Sequence, residues 1–487
     1  MRHKTCFSLI VLFCIIYSFA WAATVNDVHS QLNATEVADI VQPRSIEDIQ
    51  AAIRRARQEG RAVSIAGGRH AMGGQQFGKG TLLLDMSEMK KVIRFDAKKG
   101  RVEAEAGIQW PDLIDYLLSV QKKETKQWGI HQKQTGANNM TLGGALSANI
   151  HGRGLKLRPI IEDVESFVLV DAEGSAKKCS REENGELFRL AIGGYGLFGV
   201  IATVELRLAP RVKLERVVTM QDAKTLMDAF NDRIAKGFDY GDFQFSVDET
   251  SEDFLTRGIL SCYRTVAPQT PLPEHQKELG NEEWKRLIYL AHQDKKEAFS
   301  LYTKHYLATS GQIYWSDLHQ LSPYAENYHR AVDQASGAVS PGSEMITEIY
   351  VPREKLYDFL KDARRDFIEN NVRLIYGTIR LIEEDGESFL AWAKNPYACT
   401  IFNLHADHDK ASLEKAARDF RRLIDLAQKY EGSYYLTYHR YATREQVEKS
   451  YPQFRRFLEL KRKYDPQEVF QSDWYRHYRE MFGRGPA

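Results

Sequence analysis

The stretch Ser64-Ile-Ala-Gly-Gly-Arg-His-Ala-Met-Gly-Gly-Gln75 runs from a short apolar strand into a loop where two glycine pairs, Gly67-Gly68 and Gly73-Gly74, bracket Arg69, His70, Ala71 and Met72. Glycine there lets backbone N–H groups come close to a phosphate, because no Cβ intervenes and positive φ costs little. The loop suits a pyrophosphate, and the same residues would also suit a tight turn between strands. Upstream, Ile46, Ile49, Ala52, Ile53 and Ala56 recur at helical spacing with arginines on the other side. That spacing predicts an amphipathic helix over residues 45–59, with Ser45 as N-cap and Gly60 as its stop. Ala62-Val-Ser-Ile-Ala66 reads as a buried strand, so the whole is a β-α-β-like run starting near Val41.

Two further segments share this character. Thr141-Leu-Gly-Gly-Ala-Leu-Ser-Ala-Asn-Ile-His-Gly-Arg-Gly154 sets Gly143, Gly144, Gly152 and Gly154 among small side chains, with Ser147, Asn149 and His151 between them. Small residues at this density suit close approach of backbone to a large planar ligand. Ile192-Gly-Gly-Tyr-Gly-Leu-Phe-Gly-Val-Ile-Ala-Thr-Val-Glu-Leu206 places Gly194-x-Gly196-x-x-Gly199 ahead of a strand opened by Val200 and Ile201. A dinucleotide fingerprint needs a strand before the glycines and a helix after them, which excludes a Rossmann site.

Together with Pro43-x-Ser45 and Asp163-Val-Glu-Ser-Phe-Val-Leu-Val-Asp171, these motifs resemble, in order over about residues 40–210, the PCMH-type FAD-binding domain of the vanillyl-alcohol oxidase superfamily. Lys463-Tyr-Asp-Pro-Gln-Glu-Val-Phe-Gln-Ser-Asp473 resembles the closing segment of its sugar-acting branch, the alditol and aldonolactone oxidases and the decaprenylphosphoryl-ribose oxidases. The resemblance implies FAD held by Gly67, Gly68, Arg69, His70, Ala71, Met72 and Gly73 in the first loop. From the second segment and a glycine five residues ahead of it, it implies Gly136, Thr141, Gly143, Gly144, Ser147, Asn149, His151 and Gly152. From the third it implies Gly194, Gly199, Val200 and Ile201. In many members the first loop reads Gly-x-Gly-His-Ser and its histidine is bonded to the flavin 8α carbon, which implies a covalent link through His70, with Ala71 where the serine stands. Some members add a cysteine link before the second segment; Gly136-Ala-Asn-Asn-Met140 has none, so one link is expected.

The expected fold is α+β: a two-subdomain PCMH-type FAD-binding domain over residues 23–210 and an α+β cap with an antiparallel sheet over 211–450. An insertion occupies about 263–343, and residues 451–487 return to the FAD domain. In the cap, helices are expected at 219–233 and 353–369, and strands at Asp242-Phe-Gln-Phe-Ser-Val247 and Met345-Ile-Thr-Glu-Ile-Tyr-Val351. The insertion, with Pro268, Pro271 and Pro273 and helical spacing over 282–306, reads as a lid or a surface for partner contact, its aromatic stripe as core.

The chemistry implied is hydride removal from a carbon bearing a hydroxyl, with a base for the hydroxyl proton and a cation to stabilise the reduced flavin. Strand-like stretches offer Glu348, Arg380 in Tyr376-Gly-Thr-Ile-Arg-Leu381, and Tyr438 and His439 in Tyr434-Tyr-Leu-Thr-Tyr-His-Arg440. In the alditol-oxidase branch an arginine sits on the strand of Arg380 and a lysine near Tyr438 or His439; this chain has no lysine there. With His439 as base, activity should respond to pH around about 6.5. The substrate is expected to be a small hydroxylated molecule, and the electron acceptor oxygen, a quinone or a cytochrome. A flavin-carrying protein without alcohol-oxidising activity is the other reading. His405 and His408, with Asp407 and Asp409, invite a metal reading, but no third ligand region matches them and no metal is assigned; Asn403 or His405 should face the flavin pocket.

Arg2 and Lys4, an apolar run over 7–19 and Ala20-Trp-Ala22 read as an export signal over residues 1–22, leaving no other stretch able to span a membrane. Without it, the loss of Arg2 and Lys4 from 67 basic residues leaves a net charge of −1 against 66 acidic ones. That balance gives no support for nucleic-acid binding. Beyond Cys6 and Cys14, the cysteines Cys179, Cys262 and Cys399 lie far apart with no metal or redox spacing.

Overall fold

The structure, a computed structural model, describes residues 23–321 and 328–483. The expected export signal and the last four residues of the tail lie outside the described residues. Strand β1 (Asp39–Val41) leads into helix α1 (Ile46–Gln58), whose N-cap Ser45 accepts from the Asp48 N–H and which buries Ile49, Ala52, Ile53 and Ala56. Strands β2 (Val63–Ala66) and β3 (Leu82–Asp85) complete a parallel three-stranded sheet in the order β1-β3-β2. A second sheet holds β4 (Val92–Asp96), β5 (Arg101–Glu105), β6 (Val164–Val170), β7 (Ala176–Ser180) and β8 (Val200–Arg207) in the antiparallel order β7-β6-β8-β5-β4. In sequence, helix α2 (Leu142–Ala148) lies between β5 and β6 of the second sheet.

The cap is one eight-stranded antiparallel sheet with helices against it. Its main elements are β9 (Lys213–Asp222), α3 (Leu226–Ala235), β10 (Phe238–Phe245), β11 (Arg257–Thr265), α4 (Asn281–Gln293), α5 (Lys295–Leu307), β12 (Ile313–Trp315), β13 (Gly342–Pro352), α6 (Leu356–Glu369), β14 (Leu374–Ile382), β15 (Tyr397–Asp407), α7 (Lys410–Lys429) and β16 (Ser433–Tyr434), with a further short helix over Tyr328–Ser336. The order is β12-β9-β11-β10-β14-β15-β13-β16. The fold is thus α+β, with helices packed on an antiparallel sheet beside the glycine-rich unit. No helix of the described residues is long and apolar enough to cross a membrane.

Three local expectations are corrected. Residues 219–222 are strand rather than helix, because β9 pairs with β11 continuously from Leu214 to Asp222 and those ladder bonds outweigh a helical spacing of apolar residues. The helical stretch expected over 282–306 is two helices, broken at Asp294, whose side chain caps α5 by accepting from the Glu297 N–H. The insertion is narrower than 263–343, since β11 extends to Thr265 and β12 returns to the sheet beside β9.

The C-terminal residues lie on the first unit. Val63 donates to the Val469 carbonyl (2.6 Å), Gln471 donates to the Val63 carbonyl (2.9 Å), and the Trp474 ring packs against Tyr195 at a tilt, with centroids 4.8 Å apart. Chain end and glycine loops are therefore built into one body.

Candidate functional site

A cavity of about 480 Å³ lies between the glycine loops and the cap sheet, within the range usual for cofactor and ligand sites. The loop after β2 gives it Gly67, Gly68, Arg69, His70, Ala71 and Met72. Gly136 and the second segment's Thr141, Gly143, Gly144, Ser147 and His151 line it too, as do Gly199 and Ile201 of the third. A Cβ on Gly67 would stand 2.0 Å from Thr141 Oγ1, so the first loop reaches the second only as glycine. Thr141 in turn caps α2 by accepting from the Gly144 N–H.

Gly73, Asn149, Gly152, Gly194 and Val200, expected to touch the cofactor, do not line the cavity. They serve it from behind. A Cβ on Gly73 would meet the Tyr438 carbonyl at 2.3 Å, one on Gly152 the Lys133 carbonyl at 2.6 Å, and one on Gly194 the Leu190 carbonyl at 2.0 Å. Asn149, at φ +50°, ends α2, donates to Asp385 (2.8 Å) and accepts from the Ile161 N–H. Val200 is core on β8.

The His70 Nδ1 lies 2.9 Å from His29 Nε2, and the two rings meet edge to face. Burial, then the neighbouring His29, pushes His70 down to about 3; burial, then His329, holds His29 at about 4. Both rings are neutral at physiological pH. Arg69 is tied to Asp85 at 3.0 Å.

Strand alternation supplies the opposite wall. Residues 344, 346 and 348 of β13, 401 and 403 of β15, and 376, 378 and 380 of β14 all face the cavity, and register puts Glu348, Ile401 and Thr378 in one row across the three strands. Glu348 is buried; its Oε2 accepts from Tyr350 Oη (2.7 Å) and lies 3.0 Å from His151 Nε2, while Oε1 accepts from Tyr438 Oη (2.8 Å). Burial would raise this carboxyl, but the His151 charge and the bonds from His151, Tyr350 and Tyr438 outweigh it and hold it at about 2. Tyr438 is placed by the glycine loop: Gln75 donates to the carbonyls of Leu436 (3.0 Å) and Thr437 (2.9 Å).

His439 does not belong to this site. The strand ends at Tyr434, and in the turn that follows, Tyr438 points to the cavity while His439 packs on Tyr441 (5.4 Å, stacked) and edge-on to Phe420. Burial holds its pKa at about 4, so the titration around about 6.5 expected of it is absent. The sequence assignment followed residue type and could not see which neighbour faces in.

Several cavity residues escaped sequence reasoning. Gln76, Gln134, Thr135 and Arg153 line it, as do Arg216 and Asp242 from the cap. Trp284, Leu287 and Phe299 of the insertion also line it, so part of the aromatic stripe expected as core is cavity wall. Lys133 is fully buried behind it, donates to the Gln134 and Ala137 carbonyls, and is held at about 7 by burial and then by Arg153 and Arg380. Arg153 was within a quoted glycine segment, but nothing in its spacing marked it.

The cavity fits a large polar cofactor. Gln76 Oε1, Gln134 Nε2, Thr135 Oγ1, Arg153 Nε and Arg380 Nε are buried, belong to lining residues and have no protein partner. Buried polar atoms cost free energy unless a ligand or water satisfies them. A Cβ on Gly136, at φ +134°, would meet nothing within 4 Å, so this glycine borders open space.

Residues 37–180 match the FAD binding domain family, and residues 343–478 match the D-arabinono-1,4-lactone oxidase family. The chain is 29% identical to L-gulonolactone oxidase of Bos taurus over 40% of its own length and 42% of that protein's. It is 28% identical to the mitochondrial L-galactono-1,4-lactone dehydrogenase of Arabidopsis thaliana, over 40% and 32% of the two chains. It is 28% identical to cytokinin dehydrogenase 4 of Oryza sativa subsp. japonica, over 49% and 45%. Each match spans less than half of the relative's length. The two family matches follow in chain order and together cover more than half of this sequence. With its glycine loops facing a lactone-oxidase-type cap across one cavity, the chain belongs to the vanillyl-alcohol oxidase superfamily and carries that superfamily's FAD-binding domain.

Proposed function

We propose that the protein is an FAD-dependent oxidoreductase that removes a hydride from a CH–OH carbon of an aldonolactone, sugar or polyol-like molecule. The observation that carries this reading is the convergence of Glu348, Arg380 and Tyr438 of the cap on the cavity that the His70 loop lines. FAD, when bound there, supplies the hydride acceptor.

The residues supply binding and charge. Arg380 brings a permanently charged guanidinium with a buried, unpartnered Nε to the wall, suited to negative charge that develops on a bound ligand. Glu348, held ionised, keeps acceptor capacity on Oε1 for a substrate hydroxyl beside the Tyr438 hydroxyl. Phe299, Leu287 and Trp284 border the cavity with apolar surface that excludes water.

The neutral, half-buried His70 ring is the form that can bond to the flavin through a ring nitrogen, and a single covalent link there is part of the proposal. Export is a further part, resting on the basic, apolar and small-residue pattern of residues 1–22. Oxygen, a quinone or a cytochrome would take the electrons.

Purified protein assayed with aldonolactones, aldoses and polyols, by oxygen uptake and by dye reduction, tests the reading and separates oxidase from dehydrogenase. Turnover with none of them, in protein that holds flavin, would favour a flavin carrier without alcohol-oxidising activity. Acid precipitation beside a His70→Ala variant tests the link: flavin should stay in the wild-type pellet and leave the variant's.

A further inference from the structure

Four residues before Glu348, on the same face of β13, Glu344 also borders the cavity. Its Oε1 lies 2.9 Å from His292 Nε2 of α4 and 3.1 Å from His405 Nδ1 of β15. Its Oε2 lies 2.9 Å from His329 Nδ1 and accepts from Tyr328 Oη at 2.6 Å. All four of the glutamate and histidine side chains are buried to within 7%. The His405 ring has its seat because residue 342 is glycine: a Cβ there would stand 2.5 Å from His405 Cε1.

We propose that His292, His405 and Glu344 form a binding site for a divalent first-row transition ion, zinc being the best match to the donors. Three donor atoms from three separate elements lie within 4.8 Å of one another. Zinc–ligand bonds of about 2.0–2.1 Å in a tetrahedron put neighbouring donors about 3.4 Å apart. The glutamate–histidine separations therefore need to open by only a few tenths of an ångström.

The surroundings orient these donors. His405 has a carboxylate at each ring nitrogen, since Nε2 lies 3.3 Å from Asp407 Oδ1. With Nε2–H donating to Asp407, Nδ1 turns its lone pair to the ion, the carboxylate–histidine–metal arrangement that fixes a ligand's tautomer. Tyr328 and His329 occupy Oε2 and leave Oε1 for the metal. Two imidazoles and one carboxylate leave a position open, as in catalytic zinc sites, and Glu344 sets that position at the cavity, where an oxygen of a hydroxylated or carboxylated small molecule can take it. The sequence showed only His405 and its near neighbours; His408 instead meets Ser343 at 2.7 Å, and Asp409 caps α7.

The second cluster of this kind among the described residues, His151, Glu348 and Cys399, suits an ion less. Tyrosyl hydroxyls already donate to both oxygens of Glu348, Tyr350 to Oε2 and Tyr438 to Oε1, whereas Tyr328 donates to Glu344 at Oε2 alone.

The ion-binding assignment does not depend on the reaction proposed above. The test is metal content: flavin-loaded protein is stripped with EDTA, incubated with zinc chloride, desalted and measured by plasma mass spectrometry. Wild type and a Cys399→Ser variant should each retain about one zinc per chain, while Glu344→Gln and His405→Gln should bind at least about tenfold more weakly. Less than a tenth of an equivalent in wild type overturns the assignment, whatever the variants do. So does full retention by folded Glu344→Gln and His405→Gln protein, or loss confined to Cys399→Ser.

Discussion

Replacing Glu348 by glutamine should remove a stability term whose size and pH dependence follow from the carboxylate's surroundings. In the folded protein this group titrates at about 2 against an ordinary 4.5. At about 1.36 kcal/mol per unit, that difference amounts to about 3 kcal/mol of stability at neutral pH. The sign follows from the direction. A carboxyl whose folded value is depressed contributes fully above its unfolded pKa and loses the contribution as pH falls from 4.5 through about 2. The wild type should therefore exceed Glu348→Gln by about 3 kcal/mol at pH 7 and by only about 1 kcal/mol at pH 3. Urea unfolding followed by tryptophan fluorescence at pH 7, 5, 4 and 3 measures this difference, and other carboxylates common to both proteins cancel. A gap of equal size at pH 7 and pH 3 would refute the reasoning, because it would mean that the stabilisation does not come from the ionised group beside His151, Tyr350 and Tyr438.

Three further outcomes are expected. Arg380→Ala should lower kcat/KM about 100- to 1,000-fold, with Arg380→Lys recovering part of the loss, as measured by steady-state kinetics. Gly67→Ala puts a methyl group 2.0 Å from Thr141 Oγ1, so it should cost about 1–3 kcal/mol in thermal unfolding and lower the flavin content of purified protein. His439→Gln should leave the pH profile of turnover between pH 5 and 8 unchanged, since the ring packs on Tyr441 and Phe420 rather than in the cavity; a lost limb in that profile would return His439 to the site.

What could be read in the sequence was written in residue types that only one geometry tolerates. Gly67, Gly136 and Gly199 sit where a Cβ would clash or where φ is positive, and such demands show in sequence as glycines at close spacing. The helix at α1 was equally legible, from its cap and its four buried apolar positions. Alternation predicted the strands that carry Glu348 and Arg380 but not their neighbours across the sheet, because register is a tertiary property: nothing local says that Thr378 and Ile401 share a row with Glu348. Arg153, Arg216 and Asp242 stayed hidden for the same reason. The Glu344 cluster draws on positions 292, 329, 344 and 405, so no window of sequence contains it. The errors have local causes too. Tyr438 and His439 are adjacent, and only the turn after Tyr434 decides which of them faces the cavity.

The central claim is that one cavity joins FAD to a cap that presents a CH–OH carbon to it. The most direct measurement is anaerobic mixing of the flavin-loaded protein with aldono-1,4-lactones, aldoses and polyols while the yellow flavin band is followed. At least one of these classes should bleach the flavin in the wild type, and bleaching should be slowed at least about 100-fold in Arg380→Ala. Flavin that dithionite reduces but that none of these compounds bleaches would contradict the account.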